Sequence, residues 1–320
     1  MKKHRILGAA ALGTAVYAGV CGLLHYEVFH RNATLPTKIF NSQQKKTGGD
    51  TPAPLDPREE WMKAQSFDIW TLNNADGITL TAFYLPPEAP SDRWALCAHG
   101  YRSRGRREFR RITKFYHDHG FHVLLVDHRA SGDSGGSRIT FGEKESADLK
   151  LWLNRIRTQT DGAAEVVLHG VSMGAATVML LSDDAEILPQ VKFITADCGF
   201  TSVTDEFEGV LASANIPSGA LMAGVDAVNR LVSGFSLRDV RPIDHVAHAL
   251  VPILFIHGAA DTFVPTEMSQ RNYEACTSEK AILLVEGAAH AESYSTDPDA
   301  YDAMLEEFIG KYMTAETATA

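Results

Sequence analysis

Two stretches of the sequence place a serine between two glycines in the spacing G-x-S-x-G. The first is Gly132–Gly136, within "RASGDSGGSR", and the second is Gly170–Gly174, within "LHGVSMGAA". A serine hydroxyl is a weak nucleophile, so it needs a nearby base, and that base needs a group that orients it. Ser134 or Ser172 is therefore a candidate to attack a carbonyl carbon, provided that the fold brings a histidine and a carboxylate to it.

The pattern of apolar residues predicts the elements that would position such side chains. Short apolar strands such as "RWALCAHG", "FHVLLVDHR" and "VPILFIHG" alternate with helical segments, as expected of a parallel sheet covered on both faces. The stretch "FDIWTLNNADGITLTAFYL" alternates apolar and polar residues around Asp76-Gly77 and predicts an antiparallel hairpin. The sequence therefore predicts an α/β fold, with a mostly parallel, doubly wound sheet and an antiparallel N-terminal hairpin.

These elements favour Ser172 over Ser134 as the nucleophile. In a G-x-S-x-G turn the serine lies between a strand and a helix, and "EVVLH" runs directly into Ser172 while "AATVMLLS" continues as a helix. Ser134 lies instead in a glycine-rich loop, and the next helix begins only near Thr140. The run "GDSGG" also resembles the reactive-serine segment of chymotrypsin-like proteases, but those proteins are all-β barrels.

The partners of Ser172 are expected at the ends of later strands. Catalytic groups of a doubly wound sheet gather at the carboxyl ends of its strands, which selects Asp261 in "ILFIHGAADTFVP" and His290 in "ILLVEGAAHAESY". The backbone N–H of Met173 and that of Tyr101, in the loop after "ALCAHG", are predicted to stabilise the oxyanion of a tetrahedral intermediate.

The composition argues against several other kinds of site. A formal net charge of −10 argues against nucleic acid as the main partner. The four cysteines form no C-x-x-C pair, and no two histidines have metal-ligand spacing on one helix, so no metal is predicted. The positions of the cysteines still allow one disulfide bond between two of them. Acyl transfer by a serine needs no cofactor, and none is predicted.

The N-terminus predicts a membrane anchor. The run Ile6–Leu24 carries no charge and follows three basic residues, and a helix of about 20 apolar residues can span a bilayer. Residues 1–30 are therefore interpreted as a single-pass signal-anchor, which places the rest of the chain outside the cytoplasm. A signal peptide cleaved after Ala18, which would release a secreted protein, and a buried helix are the alternatives.

Three further regions follow from composition and length. Residues 31–57 are rich in Gly, Pro, Lys and Gln and predict a linker, so the globular domain would comprise residues 58–320. Residues 201–250 separate two strands and include the apolar helical stretch "GALMAGVDAVNRLVSGF", which favours a small helical cap over an ordinary crossover helix with loops. Basic residues cluster in Arg102–Lys114, which is either a solvated helix face or a positive rim for anionic substrates or lipid head groups.

Several motifs taken together resemble the α/β-hydrolase superfamily. They are "HGY", "DHRASGDSGG", "GVSMG", "IHGAADTFVP" and "GAAHAESY", and they are most similar to bacterial serine hydrolases near the serine aminopeptidase S33-type and BEM46-like proteins. The resemblance covers Phe67–Tyr312. It implies Ser172 as nucleophile, Asp261 as acid and His290 as base, in the chain order that this fold uses. It also implies a structural role for the loop Asp127–Ser134.

The same resemblance implies an acyl-transfer reaction without specifying the substrate. We expect a serine hydrolase that cleaves small carboxylic esters through an acyl-enzyme intermediate. A peptidase or amidase of the serine aminopeptidase type is the alternative. A non-catalytic binding protein remains a third possibility, since a fold alone does not establish activity.

Overall fold

A computed structural model describes residues 2–34 and 56–314 of the chain. The predicted linker at residues 31–57 therefore falls largely outside the described residues. Within the described part, one continuous sheet organises the remaining elements around it.

The sheet has eight strands in the spatial order β1-β2-β4-β3-β5-β6-β7-β8. The strands β1 and β2 form a hairpin, β2 pairs antiparallel with β4, and all other neighbours are parallel. The predicted α/β fold with its antiparallel N-terminal hairpin is confirmed. The strands are β1 Asp68–Asn73, β2 Thr79–Leu85, β3 Arg93–Ala98, β4 His122–Asp127, β5 Glu165–Val171, β6 Val191–Asp197, β7 Ile253–Gly258 and β8 Lys280–Val285.

Helices cover both faces of this sheet. The helices of the described part are α1 Lys2–Phe29, α2 Pro57–Ala64, α3 Gly105–Glu108, α4 Ile112–Asp118, α5 Glu143–Gln159, α6 Met173–Met179, α7 Val203–Ser213, α8 Gly219–Ser233, α9 Pro242–Val246, α10 Thr266–Ala275, α11 Ser293–Thr296 and α12 Pro298–Tyr312. Apolar residues of α5 and α6 pack on one face, and those of α4 and α12 pack on the other. The segment 201–250, for which we predict a cap, contains α7, α8 and α9.

The register of the central strands explains their almost continuous apolar sequences. Pairing places Leu124, Leu96, Leu168, Ile194 and Ile253 in one row across five strands, and all five side chains are fully buried. Because both faces of a parallel sheet are covered, its strands lose the alternation of a half-exposed strand. The four cysteines are likewise buried, and each is a free thiol.

The helix α1 packs against the protein along its C-terminal half. Gly224 of α8 lies so close that a Cβ there would be 2.3 Å from Cys21 Sγ. His25 Nε2 lies 3.1 Å from Asn229 Oδ1, and Cys21 and Phe29 are buried. Cys21 and Phe29 thus form part of an apolar cluster that includes Val225 of α8.

This packing bears on the predicted membrane anchor at residues 1–30. Among the helices of residues 2–34 and 56–314, none is both long and apolar enough to cross a bilayer. The prediction of a single-pass membrane protein with an extracytoplasmic domain is therefore wrong. It rested on a run without charge, and such a run can pack against protein just as it can against lipid.

A buried ion pair ties the end of β4 to α5 and gives a test of this architecture. Arg129 Nε and Nη2 each donate to Asp148 at 2.7 Å, and Asp76 accepts from Arg129 Nη1. Asp148→Ala should lower the free energy of unfolding by about 3–5 kcal/mol, since it leaves a buried guanidinium without its main partner. Asp244→Ala, which removes the exposed partner of Arg241, should cost less than about 1 kcal/mol.

Urea denaturation of both variants and the wild type measures these two changes. Equal small losses in the two variants would contradict a structural role for the buried pair.

Candidate active site

Ser172 lies on a sharp turn between β5 and α6. Its φ and ψ are 57° and −118°, a conformation that is strained for a residue with a side chain. Its backbone N–H donates to Asp197 O at 2.8 Å, which fixes the turn to the neighbouring strand β6. The turn therefore presents the serine at the carboxyl edge of the sheet, as a nucleophile requires.

The two glycines of this motif are needed because backbones approach each other closely. A Cβ at Gly170 would lie 2.2 Å from Gly174 O, and a Cβ at Gly174 would lie 1.9 Å from Ala98 O. Neither position has room for a side chain. The spacing G-x-S-x-G thus lets the first turn of α6 lie directly against β5 and β3.

The structure brings together the three residues that the sequence selected. Ser172 Oγ lies 2.9 Å from His290 Nε2, and His290 Nδ1 lies 2.7 Å from Asp261 Oδ2. His290 follows β8 and Asp261 follows β7, so three strand ends supply the series. With Nδ1–H donating to the carboxylate, Nε2 faces the hydroxyl of Ser172 as an acceptor, an arrangement that suits a nucleophile, a base and an orienting acid.

The surroundings of Asp261 keep it ionised. Its Oδ1 accepts from the N–H groups of Phe263 and Val264 at 2.8 and 3.1 Å. Its Oδ2 is shared by His290 and by His257, whose Nε2 lies at 3.1 Å. Burial alone would raise the pKa of Asp261, but hydrogen bonds from His257 and His290 outweigh it and hold the pKa well below its usual value. The carboxylate can therefore stabilise an imidazolium at His290.

The loop after β3 lies beside the serine. A Cβ at Gly100 would be 3.2 Å from Ser172 Cβ, so the loop reaches the position predicted for an oxyanion donor. His99 Nε2 accepts from His128 N at 3.1 Å, which leaves Nδ1–H to donate to Gly100 O at 2.7 Å. Because a trans peptide holds its C=O and N–H in opposite directions, this bond fixes the direction of the Tyr101 N–H.

The second predicted donor belongs to the helix that follows the serine. Met173 is the first residue of α6, and the first N–H groups of a helix have no intrahelical acceptor. The helix N-terminus also carries partial positive charge. Both predicted N–H groups thus adjoin Ser172 in the fold.

Ser134 has a different environment. Its Oγ donates to Asp127 O at 2.6 Å and accepts from Thr81 N at 2.8 Å, and its side chain is buried. The carboxylate of Asp127 accepts from the N–H groups of Gly105 and Asp133. The segment Gly132–Gly136 is therefore a hydrogen-bonded structural loop in which the hydroxyl of Ser134 already donates and accepts.

Two residues at the end of β6 belong to the site and were not selected from the sequence. Asp197 accepts from Ser293 Oγ and Tyr301 OH at 3.1 and 3.2 Å, and burial raises its pKa to about 6. Cys198 follows it with φ 49°. The signal was present in the sequence, since "VKFITADCG" ends a strand as the segments of Asp261 and His290 do.

Cys198 also bears on metal binding. Among the described residues, ligand atoms of Cys198, Asp261 and His290 lie within 4.8 Å of one another. Burial raises the pKa of the Cys198 thiol well above its usual value, and both ring nitrogens of His290 are engaged by the serine and the carboxylate. A metal would have to break the Asp261–His290 bond, so these residues fit a hydrogen-bonded site better than a metal site.

Glu206 on α7 is a further buried acid that the sequence did not indicate. It is 5% exposed, and neither carboxylate oxygen has a hydrogen-bond partner in the part of the chain that the structure describes. Burial and the charge of Asp261 raise its pKa to about 8. Glu206 is thus neutral at pH 7, in contrast to the ionised Asp261.

Comparisons with known families agree on the class of this chain. A family model described as "Serine aminopeptidase, S33" matches residues 90–195. A second model, described as "Serine hydrolase (FSH1)", matches residues 156–291. Between them the two matches include the loop after β3, the turn at Ser172, Asp261 and His290.

Individual relatives and solved structures extend the similarity. The uncharacterized protein YqkD of Bacillus subtilis is 27% identical over 308 residues, which is 96% of this chain and 97% of that protein. The esterase Pf2001 of Pyrococcus furiosus shares the fold with a TM-score of 0.64 at 22% identity, covering 83% of this chain and 97% of its own. An acylaminoacyl peptidase of Pyrococcus horikoshii has a TM-score of 0.59 at 15% identity, and the match covers 83% of this chain and 45% of the peptidase chain.

Glu206 gives a prediction about stability and pH. Since folding raises the pKa of Glu206 from its ordinary value of 4.5 to about 8, the folded state binds more protons than the unfolded state between these two pH values. The free energy of unfolding should therefore fall as pH rises from about 5 to 8. Glu206→Gln cannot ionise, so it should gain stability relative to the wild type across this window by a few kcal/mol.

Chemical denaturation at a series of pH values measures the difference. Glu208→Gln, on the exposed face of the same helix, is the matched control and should follow the wild type. A pH-independent difference between Glu206→Gln and the wild type would refute the raised pKa.

Proposed function

Because the chain belongs to the α/β-hydrolase superfamily and is a hydrolase, we propose that it is a serine hydrolase that cleaves carboxylic esters through an acyl-enzyme. The observation that carries the proposal is the hydrogen-bonded series from Ser172 through His290 to Asp261. Its order along the chain and its position at the carboxyl edge of the sheet are those of this fold.

The first half of the proposed reaction forms the acyl-enzyme. Ser172 Oγ attacks the carbonyl carbon while its proton passes to His290 Nε2, and the ionised Asp261 stabilises the resulting imidazolium. The tetrahedral intermediate then collapses, and His290 gives the proton to the leaving alkoxide as the C–O bond breaks. The alcohol leaves, and the acyl group remains as an ester of the serine.

The second half regenerates the enzyme. A water molecule gives a proton to His290 and attacks the acyl carbon, and collapse returns that proton to Ser172 Oγ as the carboxylic acid leaves. In both halves negative charge develops on the carbonyl oxygen. The N–H groups of Tyr101 and Met173 are the proposed donors to this oxyanion, and loss of one such donor costs about 3 kcal/mol of transition-state stabilisation.

Peptide or amide substrates are the second candidate. The match to a serine aminopeptidase model supports it, and the same geometry would protonate an amine leaving group through His290. A panel of neutral esters of increasing chain length, compared with aminoacyl amides of the same acyl groups, separates the two substrate classes by kcat/KM. A catalytically inert binding protein would turn over neither class.

We further propose that α7, α8 and α9 form a small cap at the acyl side of Ser172. Phe207 of α7 contacts Phe29 and Phe141 edge-on. Buried residues of α7 and α8 share an apolar cluster with Met173. An apolar wall beside the nucleophile suits an apolar acyl group.

The nucleophile is tested with a fluorophosphonate probe, which labels activated serines. Ser172→Ala should lose labelling and should lower ester turnover by at least about 10³-fold, because no other group supplies the nucleophile. Ser134→Ala is the control: it should keep its labelling and lose thermal stability, since Thr81 N and Asp127 O lose their partner. Labelling that survives in Ser172→Ala, or disappears only in Ser134→Ala, would refute the assignment.

The basic segment supports a preference for anionic substrates. Arg106 and Arg107 line a cavity of about 360 Å³, whose other lining residues are the basic Lys63, Arg104 and Arg110, the acidic Glu59, Asp127 and Asp133, and the apolar Met62 and Phe83. Replacing both arginines with glutamate should lower kcat/KM for anionic esters more than for neutral esters of equal length. Steady-state kinetics at low salt measures the ratio of kcat/KM for the anionic ester to that for the neutral ester. An equal effect on both ester types would contradict the proposed preference.

A further inference from the structure

The guanidinium of Arg102 binds the end of α1. Its Nη2 donates to Glu27 O at 3.0 Å and to His30 O at 2.8 Å. Its Nη1 donates to Ala33 O at 2.8 Å and, at 3.4 Å, to Arg31 O. The last carbonyls of a helix have no intrahelical donors and carry partial negative charge. Arg102 therefore satisfies acceptors at the helix end as a C-terminal cap from a distant part of the chain.

The neighbouring residue Tyr101 is bound to the same helix. Its OH donates to Val28 O at 2.6 Å and accepts from Arg102 Nε at 2.7 Å. Its ring stacks on Phe141 at 5.1 Å between centroids. The Arg102 guanidinium lies 5.1 Å from the centre of the Tyr101 ring. Side chains of two consecutive residues thus hold the loop after β3 against the end of α1.

The chain that leaves α1 is held by a second loop. Arg31 Nη1 donates to Ser134 O at 2.8 Å and to Gly136 O at 3.2 Å, and Nη2 donates to Gly132 O at 3.1 Å. Its backbone N–H donates to Ser137 O at 2.9 Å. The end of α1 is therefore fixed between two loops that lie at the carboxyl edge of the sheet.

Arg102 also has an unusual backbone conformation. Its φ is 56°, which is strained for a residue other than glycine and persists only where the surroundings enforce it. A hydrogen bond from Ser103 N to Gly100 O closes the turn around Arg102, and the five hydrogen bonds of the Arg102 guanidinium hold this turn to its neighbours. Loss of the guanidinium bonds would allow the loop to relax, and Tyr101, whose N–H is the proposed donor, is the residue immediately before this strained one.

We propose that Arg102 is a positioning residue, which couples the docked end of α1 to the oxyanion loop and so holds the Tyr101 N–H toward the reacting carbonyl. The inference rests on the proposed function above. A donor is effective only when it lies about 2.7–3.1 Å from the position of the oxyanion, which forms after the substrate has bound. Displacement of the loop therefore weakens stabilisation of the transition state and leaves substrate binding largely unchanged.

The experiment compares Arg102→Met with Arg155→Met in the full chain. Arg155 is a matched control, because it donates to a backbone carbonyl, Thr71 O at 2.8 Å, and stacks over Trp70 on the hairpin. With a neutral ester, Arg102→Met should lower kcat by about 10- to 100-fold and change KM by less than about threefold. Arg155→Met should retain the wild-type kcat.

Two more measurements separate positioning from a general structural defect. The affinity of a trifluoromethyl ketone, which forms a tetrahedral adduct, should fall in Arg102→Met by the same factor as kcat/KM. The affinity of the product carboxylic acid should stay at the wild-type value. Arg102→Lys should recover part of kcat, since an ammonium still donates to some of the carbonyls. Wild-type kcat in folded Arg102→Met, or a loss confined to KM, would overturn the inference.

Two further results can be distinguished: a variant that does not fold, and a wild type that lacks the proposed activity. If Arg102→Met does not fold, Tyr101→Phe is the second variant. It removes only the two hydrogen bonds of the Tyr101 hydroxyl, to Val28 O and from Arg102 Nε, and should show a smaller fall in kcat with the same KM. If the wild type hydrolyses no ester, the proposed function fails, and hydrogen exchange then decides the coupling alone. Arg102→Met should accelerate exchange in residues 26–33 and 101–104, and unchanged exchange in both segments would overturn the inference.

Discussion

The close approach of α6 to β3 is the constraint on which the site depends. With Gly174 in van der Waals contact with the backbone at Ala98, the helix can begin immediately after β5, and Ser172 must take the strained turn between them. The hydrogen bond from Ser172 N to Asp197 O holds that turn to β6. Ser172 is thus positioned by three adjacent strands, and a longer or looser turn would leave its hydroxyl out of reach of His290, which follows a fourth.

Three buried carboxyl groups of the described residues have different pKa values for physical reasons. Asp261 accepts two backbone N–H groups and faces two histidines, so its ionised form is stabilised. The carboxylate of Asp197 accepts from two hydroxyl groups, and the carboxyl group of Glu206 has no hydrogen-bond partner among the described residues. Burial therefore dominates for these two, which raises their pKa values.

The sequence predicted the parts of this structure that local patterns encode. Alternation around Asp76-Gly77 gave the hairpin, continuous apolar runs gave the buried strands, and the ends of those strands gave Asp261 and His290. It did not predict Glu206 as part of the site, because a glutamate on an apolar helix has the same pattern whether it faces water or a buried carboxylate. The packing of α1 against protein was an alternative and not the prediction for a related reason: an uncharged run does not specify whether lipid or protein surrounds it.

The hydrogen bonds at the end of α1 are made to main-chain oxygens. Arg102 and Arg31 both donate to carbonyl groups, which every amino acid supplies equally. Substitutions at positions 27, 30 and 33 would therefore leave these bonds available as long as the helix ends in the same place. An alignment of related chains would then show the two arginines without any residue that varies in step with them, so covariation would not detect this contact.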